Sequence, residues 1–262
     1  MKELVLLTKA GHVATLAFNS PENGNALDFD MYEALNDKLA LCEADEDIRV
    51  VIVTGTGKHF CAGGDIRQFK ERIAKGIYLT TEELSYAANT AYRIRNFKKP
   101  VIAMVNHAAA GAGFSIACAC DFRIVTPKTS FIMAFVNVGL CTDTAGLYLL
   151  GKLIGPGRMS EIMMTGRPVG GEEAAQIGLA TRCVPEEELA EATSRFAAEL
   201  AKGAGKAISC QKELINKYFY NGDFPSYMAD EAQANHLCSK SADFEEAVDA
   251  FIEKRRPAFS GK

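Results

Sequence analysis

The chain has 262 residues, of which 48% are hydrophobic, and its formal net charge is −4. This apolar fraction is typical of a soluble globular protein with a sizeable core. The acidic balance argues against a nucleic-acid partner, which usually needs a basic face. No run approaches the ~18 apolar residues of a membrane span. The N-terminal apolar run is too short for a signal peptide, so we expect a cytoplasmic protein with no membrane partner.

The eight cysteines and four histidines show no metal-ligand spacing. There is no C-x-x-C pair, and most cysteines stand in apolar surroundings, as in the segment IACACDF. Cysteine in such surroundings behaves as a small hydrophobic residue. We therefore expect reduced thiols, no metal site and no cofactor beyond what a substrate carries.

Short β-rich runs and helical segments alternate along the first two-thirds of the chain. Residues 3–9 and 12–18 predict a hairpin around Ala10 and Gly11, and apolar residues at helical spacing predict a helix over 28–44. Continuous apolar runs are typical of strands buried on both faces. Such strands are expected at 49–55 and 100–106, with shorter ones at 121–126 and 130–135.

Helices dominate from about residue 145 onward. Apolar residues at helical spacing mark two of them: Leu189, Phe196 and Leu200 in one, and Phe244, Ala247, Val248 and Phe251 in the other. These stripes must cover either the same core or a neighbouring subunit. The sequence thus predicts an α/β core with a helical C-terminal section.

Two glycine-rich turns follow predicted buried strands, FCAGGDI (60–66) and AAAGAGF (108–114). Each leads into a helix, whose first N–H groups have no partner within the helix. If the turns converge, they form an oxyanion hole. Asp65, three residues before Gln68, is expected to cap its helix rather than to catalyse. Neither turn has the spacing of a phosphate-binding loop.

Ser115 raises the possibility of a serine hydrolase. The segment GFSIA approximates a nucleophile elbow, and Asp143 and His236 follow in the required chain order. However, an elbow serine directly follows a strand, whereas the apolar run ends ten residues earlier at Val105. Ser115 is therefore interpreted as a residue that lines the pocket.

In their order and spacing, these turns resemble those of the crotonase (enoyl-CoA hydratase/isomerase) superfamily. The resemblance extends through NSPENGNALD (19–28), GRPVGGEEAAQIGLATRCV (166–184) and FIEKRRPAF (251–259). It implies a spiral of ββα units over residues 1–200 and a helical trimerisation region over 201–262. It also implies an acyl-CoA substrate and assembly of the chain with itself as a trimer or a dimer of trimers.

The resemblance assigns roles to particular residues. The N–H groups of Gly64 and Ala112 would bind the thioester oxygen, with Ala112 in place of the more usual glycine. Ala62 and Ile66 would line the adenine and pantetheine path, and Ala26 and Asp65 are further candidates for substrate binding. Glu22 occupies a position where a basic residue often contacts phosphate, which leaves Lys254 or Arg255 as candidates for that contact.

The hydratases of this family carry two glutamates at the positions of Ser115 and Phe135, and both are absent here. One carboxylate remains, that of Asp143, as in the ring-epoxide (epoxyphenylacetyl-CoA) isomerases. Asp143 is thus the candidate acid and base of an enoyl-CoA isomerase. The alternative for Asp143 is an ordinary helix N-cap, a role that Thr142 could also fill.

Apolar residues at 131–140 are candidate walls of the acyl site, with Phe131 expected in the core. The others are Met133, Phe135 and Leu140, and Tyr92 and Tyr148 suggest room for an aromatic or alicyclic group. Two alternative functions stay open beside the isomerase. One is a hydratase that uses Asp143, and the other is a CoA-thioester-binding protein without turnover.

Overall fold

The structure, a computed structural model, describes residues 2–220 and 224–258. In chain order the strands are β1 (Val5–Ala10), β2 (Val13–Phe18), β3 (Val50–Gly55), β4 (Val101–Val105), β5 (Ala108–Ala110), β6 (Phe122–Val125), β7 (Ser130–Ile132), β8 (Pro168–Gly170) and β9 (Arg182–Cys183). The α-helices are α1 (Phe29–Ala44), α2 (Ile66–Ala74), α3 (Thr81–Asn96), α4 (Ala112–Ala119), α5 (Gly146–Ile154), α6 (Pro156–Thr165), α7 (Gly171–Gln176), α8 (Leu189–Lys202), α9 (Gly205–Ile215), α10 (Phe224–Cys238) and α11 (Ala242–Glu253).

The larger sheet has the strand order β1-β2-β3-β4-β6-β9. Its first pair is antiparallel, and the remaining pairs are parallel. Every residue of β3 is buried because helices cover both faces of the strand. Val51 and Val53 join the main core, whereas Val50 and Ile52 pack with α8 on the other face. This two-sided burial explains the continuous apolar run, in which no alternation is visible.

The smaller sheet has the order β5-β7-β8 and lies next to the turn at the start of α4. The C-terminal helices return to the same core: α10 packs on α3, and α11 packs on α2. Within the described residues, no helix combines the length and apolar character of a bilayer-spanning segment.

The predicted α/β class, the hairpin and the buried strands are confirmed, with ends within a few residues of those expected. The predicted strand at 130–135 is too long, since β7 ends at Ile132. Phe251 does not join the buried stripe of α11 and is 62% exposed. The C-terminal helices α10 and α11 cover this chain's own core. The boundary at 200/201, which falls inside α8, and the trimerisation role both stay predictions.

A buried ion cluster joins α3, β4, β6 and α9. The Asp121 carboxylate accepts hydrogen bonds from the Arg95 guanidinium and, at 2.7 Å, from Lys212 Nζ. It also accepts the Val101 N–H at 2.8 Å. All three charged side chains are nearly inaccessible to water. The cluster therefore pins the start of two central strands against the C-terminal section.

Replacing Asp121 with Asn should lower the free energy of unfolding by about 3–5 kcal/mol, because two buried cations lose their counter-charge. Urea unfolding at neutral pH measures the change. Asp249→Asn, which removes the partner of Lys70 in a surface pair, is the control and should cost about 1 kcal/mol or less. Equal losses in the two variants would show that the buried cluster does not hold the fold together.

Candidate active site

The two glycine-rich turns lie side by side. Cys61 N–H donates to the Ala108 carbonyl at 3.1 Å, and Ala110 N–H donates to the Cys61 carbonyl at 2.9 Å. These bonds form a short parallel bridge between Cys61 and Ala109. The approach is so close that a Cβ at Gly113 would lie 2.6 Å from Cys61 Sγ. The two turns therefore converge, which is the condition that an oxyanion hole requires.

Each turn presents a backbone N–H at the cavity. Ala112 is the first residue of α4, where the helix supplies no acceptor for its amide. Gly64 lies one residue after Gly63, which has a φ of 86°. Among the described residues, neither the Gly64 amide nor the Ala112 amide donates to a backbone or side-chain acceptor. Both amides are thus available to a ligand oxygen.

Asp143 lies in the loop between β7 and α5. Thr144 Oγ1 donates to its Oδ1 at 2.7 Å, and Thr144 Oγ1 lies 3.2 Å from the Tyr32 hydroxyl. Burial raises the pKa of Asp143 from an ordinary value of 3.8 to about 6, and the Thr144 hydrogen bond acts in the opposite direction. Burial also raises the pKa of Tyr32, and the charge of Asp143 adds to that rise. Asp143 thus titrates close to neutral pH, where a carboxyl can both take and return a proton.

Both turns and Asp143 open into one cavity of about 680 Å³. Its walls are mainly apolar and come from α1, α2, α3, the segment after β7 and α11. The residues with apolar side chains include Leu27, Phe29, Ile66, Phe69, Leu84, Phe135, Val138, Leu140 and Phe251. The cavity thus combines backbone donors, the partly buried carboxylate of Asp143 and mainly apolar walls.

Seven of the predicted site residues line this cavity: Ala62, Gly64, Ile66, Ala112, Phe135, Leu140 and Asp143. In the described part of the chain, the other four do not belong to the lining. Asp65 caps α2 by accepting the Arg67 N–H at 2.9 Å, as expected. Ala26 is buried beside Leu27 and donates its N–H to Asn23 Oδ1 at 3.2 Å.

Ser115 faces the backbone, which corrects its assignment as a pocket residue. Its hydroxyl lies 3.3 Å from each of two carbonyl oxygens, those of Gly111 and Asp143. It also packs so closely on α5 that a Cβ at Gly146 would lie 2.5 Å from Ser115 Oγ. The hydrolase alternative is wrong as well, because the His236 ring contacts the Leu79 carbonyl and not Ser115.

Tyr92 requires a second correction. It lies on α3 beyond the part that lines the cavity, which comprises Glu83, Leu84, Tyr86 and Ala87. At a rise of about 1.5 Å per residue, Tyr92 is roughly 9 Å further along the helix than Tyr86. Tyr86 is therefore the tyrosine of α3 that faces the site.

The N-cap interpretation of Asp143 is also wrong. The N-cap of α5 is Ala145, and no side chain of the loop caps the helix from that position. The Ala145 N–H instead donates to Glu231 Oε2 of α10 at 2.7 Å.

The sequence offers Lys254 and Arg255 as candidates for contact with the CoA phosphates. Of these two residues, Arg255 is already paired with Glu246 and Glu253.

Sequence reasoning missed Tyr32, Thr144, Glu231 and Asn235, which surround the Asp143 loop. Glu231 and Asn235 are four residues apart on α10 and nearly inaccessible to water. Polar residues four apart in the alanine-rich segment ADEAQANHLC indicate that one helix face is polar, but the spacing does not show that this face is buried. Nor does the spacing identify the loop that the face contacts.

The family model described as enoyl-CoA hydratase/isomerase matches residues 8–262. The chain belongs to this family. The trans-2-decenoyl-[acyl-carrier-protein] isomerase of Streptococcus mutans is 32% identical over 95% of both chains. The 1,2-epoxyphenylacetyl-CoA isomerase of Escherichia coli is 32% identical over the full length of both. A crystal structure of an enoyl-CoA hydratase from Mycobacterium avium subsp. paratuberculosis matches with a TM-score of 0.89, 25% identity and 98% coverage of both chains.

The raised pKa of Asp143 predicts a pH-dependent stability difference between the wild type and Asp143→Asn. The folded state holds the Asp143 proton more tightly than the unfolded state, so this group lowers stability as pH rises from about 4 to 6. Asn resembles the protonated carboxyl in shape. The variant should therefore be more stable by roughly 2–3 kcal/mol at pH 8 and show no difference near pH 3.5.

Chemical unfolding of both proteins across this pH range measures the difference. Asp37→Asn, at an exposed aspartate of α1, controls for the loss of a surface charge. An Asp143→Asn difference that does not change with pH would contradict the raised pKa.

Proposed function

We propose that the protein is an isomerase of enoyl thioesters that moves a β,γ double bond into the α,β position. The observation that carries this proposal is the partly buried carboxylate of Asp143, with its raised pKa, in the same cavity as the free amides of Gly64 and Ala112. The substrate is expected to be an acyl-CoA, with its thioester oxygen at the two amides.

The reaction needs two proton transfers through one enolate. Asp143 takes a proton from the α carbon, and the electrons of the broken C–H bond form the enolate. Its negative charge develops on the thioester oxygen, where the N–H groups of Gly64 and Ala112 stabilise it. The protonated Asp143 then returns the proton to the γ carbon, which leaves the double bond between the α and β carbons. No atom is gained or lost.

One carboxylate suits this reaction better than hydration. A hydratase must also hold a water molecule and exchange protons with it, for which the family uses a pair of glutamates. The other carboxylates at the cavity are engaged or remote from this role. Asp28 caps α1 through the Met31 N–H, and Glu83 forms a bidentate pair with Arg72. Glu71 is exposed on α2.

The names of two relatives support isomerisation, and the name of a third favours the alternative reaction. Two of them are named as isomerases of thioester substrates, one on an acyl-carrier protein and one on CoA. The structural relative from Mycobacterium is named as a hydratase, so hydration by Asp143 is the second candidate.

Assembly as a trimer or a dimer of trimers stays part of the proposal. Exposed apolar side chains near the end of α9 and on α10, such as Leu214, Tyr218 and Leu237, offer a surface for it.

A β,γ-enoyl-CoA mixed with the protein should give a rise in the absorbance of the conjugated thioester. Asp143→Asn should lower kcat/KM by about 10²–10⁴-fold, because the acid and base is lost. Its affinity for a saturated acyl-CoA, measured by calorimetry, should be kept. Glu83→Gln, at a second carboxylate of the cavity, is the matched control and should stay within a few-fold of wild type.

Three other results would contradict the isomerase. Conversion of an α,β-enoyl-CoA to a 3-hydroxyacyl-CoA without isomerisation would mean a hydratase. Binding of acyl-CoA without any turnover would mean a binding protein. Equal losses of kcat/KM in Asp143→Asn and Glu83→Gln would show that Asp143 is not the acid and base of the reaction.

The pH dependence of kcat/KM provides a second test. The base must be deprotonated, so kcat/KM should rise through about pH 6 and be flat above. Thr144→Val removes the hydrogen bond that lowers the Asp143 pKa, so the rise should move to higher pH. Thr144→Ser keeps the hydroxyl and should restore the wild-type profile. A profile that Thr144→Val does not move would show that this hydrogen bond does not tune Asp143.

A further inference from the structure

The backbone next to Asp143 is held in a strained conformation. Thr144 and Ala145 have φ values of 53° and 58°, in the left-handed region that residues with a Cβ rarely adopt. Such a conformation is costly and persists only where the surrounding structure imposes it. The loop therefore depends on contacts from outside itself.

Helix α10 supplies such contacts at both ends of the loop. Glu231 Oε2 accepts the Ala145 N–H at 2.7 Å, just after Asp143. Asn235 Nδ2 donates to the Cys141 carbonyl at 2.9 Å, just before it, and lies 3.4 Å from the Thr142 carbonyl. Residues four apart lie on one face of a helix, so a single helix face contacts the loop on both sides of Asp143.

The two side chains are buried, which makes these contacts strong determinants of loop position. Glu231 is 5% exposed and Asn235 is fully buried. The Glu231 carboxylate also lies at the N-terminal end of α5, where the helix dipole favours a negative charge. A buried amide or carbonyl without a hydrogen-bond partner is destabilising, because it has lost its hydrogen bonds to water and gains none in the protein. Movement of the loop away from α10 would leave several such groups unmatched.

We propose that Glu231 and Asn235, together the α10 clamp, are positioning residues that hold residues 141–145 so that the Asp143 carboxylate faces the two backbone amides. Neither residue of the α10 clamp belongs to the lining of the cavity, so their role is to position the loop and not to take part in the chemistry. The contribution of the α10 clamp to catalysis rests on the proposed isomerase function. Its contribution to the position of Asp143 can be tested without any turnover.

Kinetics of three variants test the catalytic part. Glu231→Ala deletes the acceptor of the Ala145 N–H and should lower kcat about 10²-fold with little change in KM, as expected for a misplaced catalytic group. Glu231→Gln keeps an acceptor oxygen and should stay within about tenfold of wild type. Gln233→Ala, on the exposed side of the same helix, is the control and should behave as wild type.

The change in the free energy of unfolding that Asp143→Asn causes tests the position of Asp143 without any assay of activity. Once the loop relaxes and water reaches Asp143, its pKa should fall toward the ordinary value. The stabilisation that Asp143→Asn gives at pH 8 should then shrink in the Glu231→Ala background and persist in the Glu231→Gln background. Among the described residues, Tyr32 of α1 and Cys141 of the loop are titratable groups that interact with the charge of Asp143. Glu231→Gln controls for the loss of the Glu231 charge.

The outcomes separate the two proposals. A reduced Asp143→Asn effect in Glu231→Ala, together with wild-type protein that does not isomerise, would support the α10 clamp and reject the isomerase. An Asp143→Asn effect of full size in Glu231→Ala would overturn the α10 clamp. If the wild type isomerises, a Glu231→Ala kcat equal to that of Gln233→Ala would overturn it as well. If Glu231→Ala does not fold, Asn235→Ala replaces it in both measurements, with the same expected and contrary results.

Discussion

A partly buried carboxylate, in a cavity that also contains two free backbone amides, is the constraint around which the rest of the molecule is organised. Burial raises the pKa of Asp143 to about 6, which costs stability at neutral pH. The surrounding contacts keep the group in place despite this cost. Thr144 donates to the carboxylate, Ser115 lies against the Asp143 carbonyl, and α10 contacts the loop on both sides.

The site is formed by two parts of the chain that are distant in sequence. The N-terminal part supplies the amides through turns at the ends of β3 and β5, which pair with each other at Cys61 and Ala109. The C-terminal part contributes contacts that hold the Asp143 loop, since Glu231 and Asn235 are about ninety residues beyond Asp143 in the chain. The helices that the sequence marks only as covers of an apolar core therefore also define the geometry of the site.

The backbone part of the site could be predicted from the sequence because its signals are local. Glycines, a preceding apolar run and a following helix indicate a turn with free amides, and the resemblance to the family then assigns Gly64 and Ala112 as the donors. Asp143 could be identified only through the resemblance to a family, since an aspartate before an apolar helix also fits an N-cap. The supports of Asp143 could not be predicted, because they depend on which helix face meets the loop. The placements of Ser115 and Tyr92 were wrong for the same reason, since position along a helix does not specify what the side chain contacts.

The most direct test of the central claim is to follow the proton itself. A β,γ-enoyl-CoA labelled with deuterium at the α carbon would be converted in ordinary water, and the product analysed by NMR and mass spectrometry. If Asp143 alone carries the proton, a substantial share of the deuterium should appear at the γ carbon of the conjugated product. Deuterium lost entirely to solvent, together with a 3-hydroxyacyl product, would contradict the single-carboxylate isomerase.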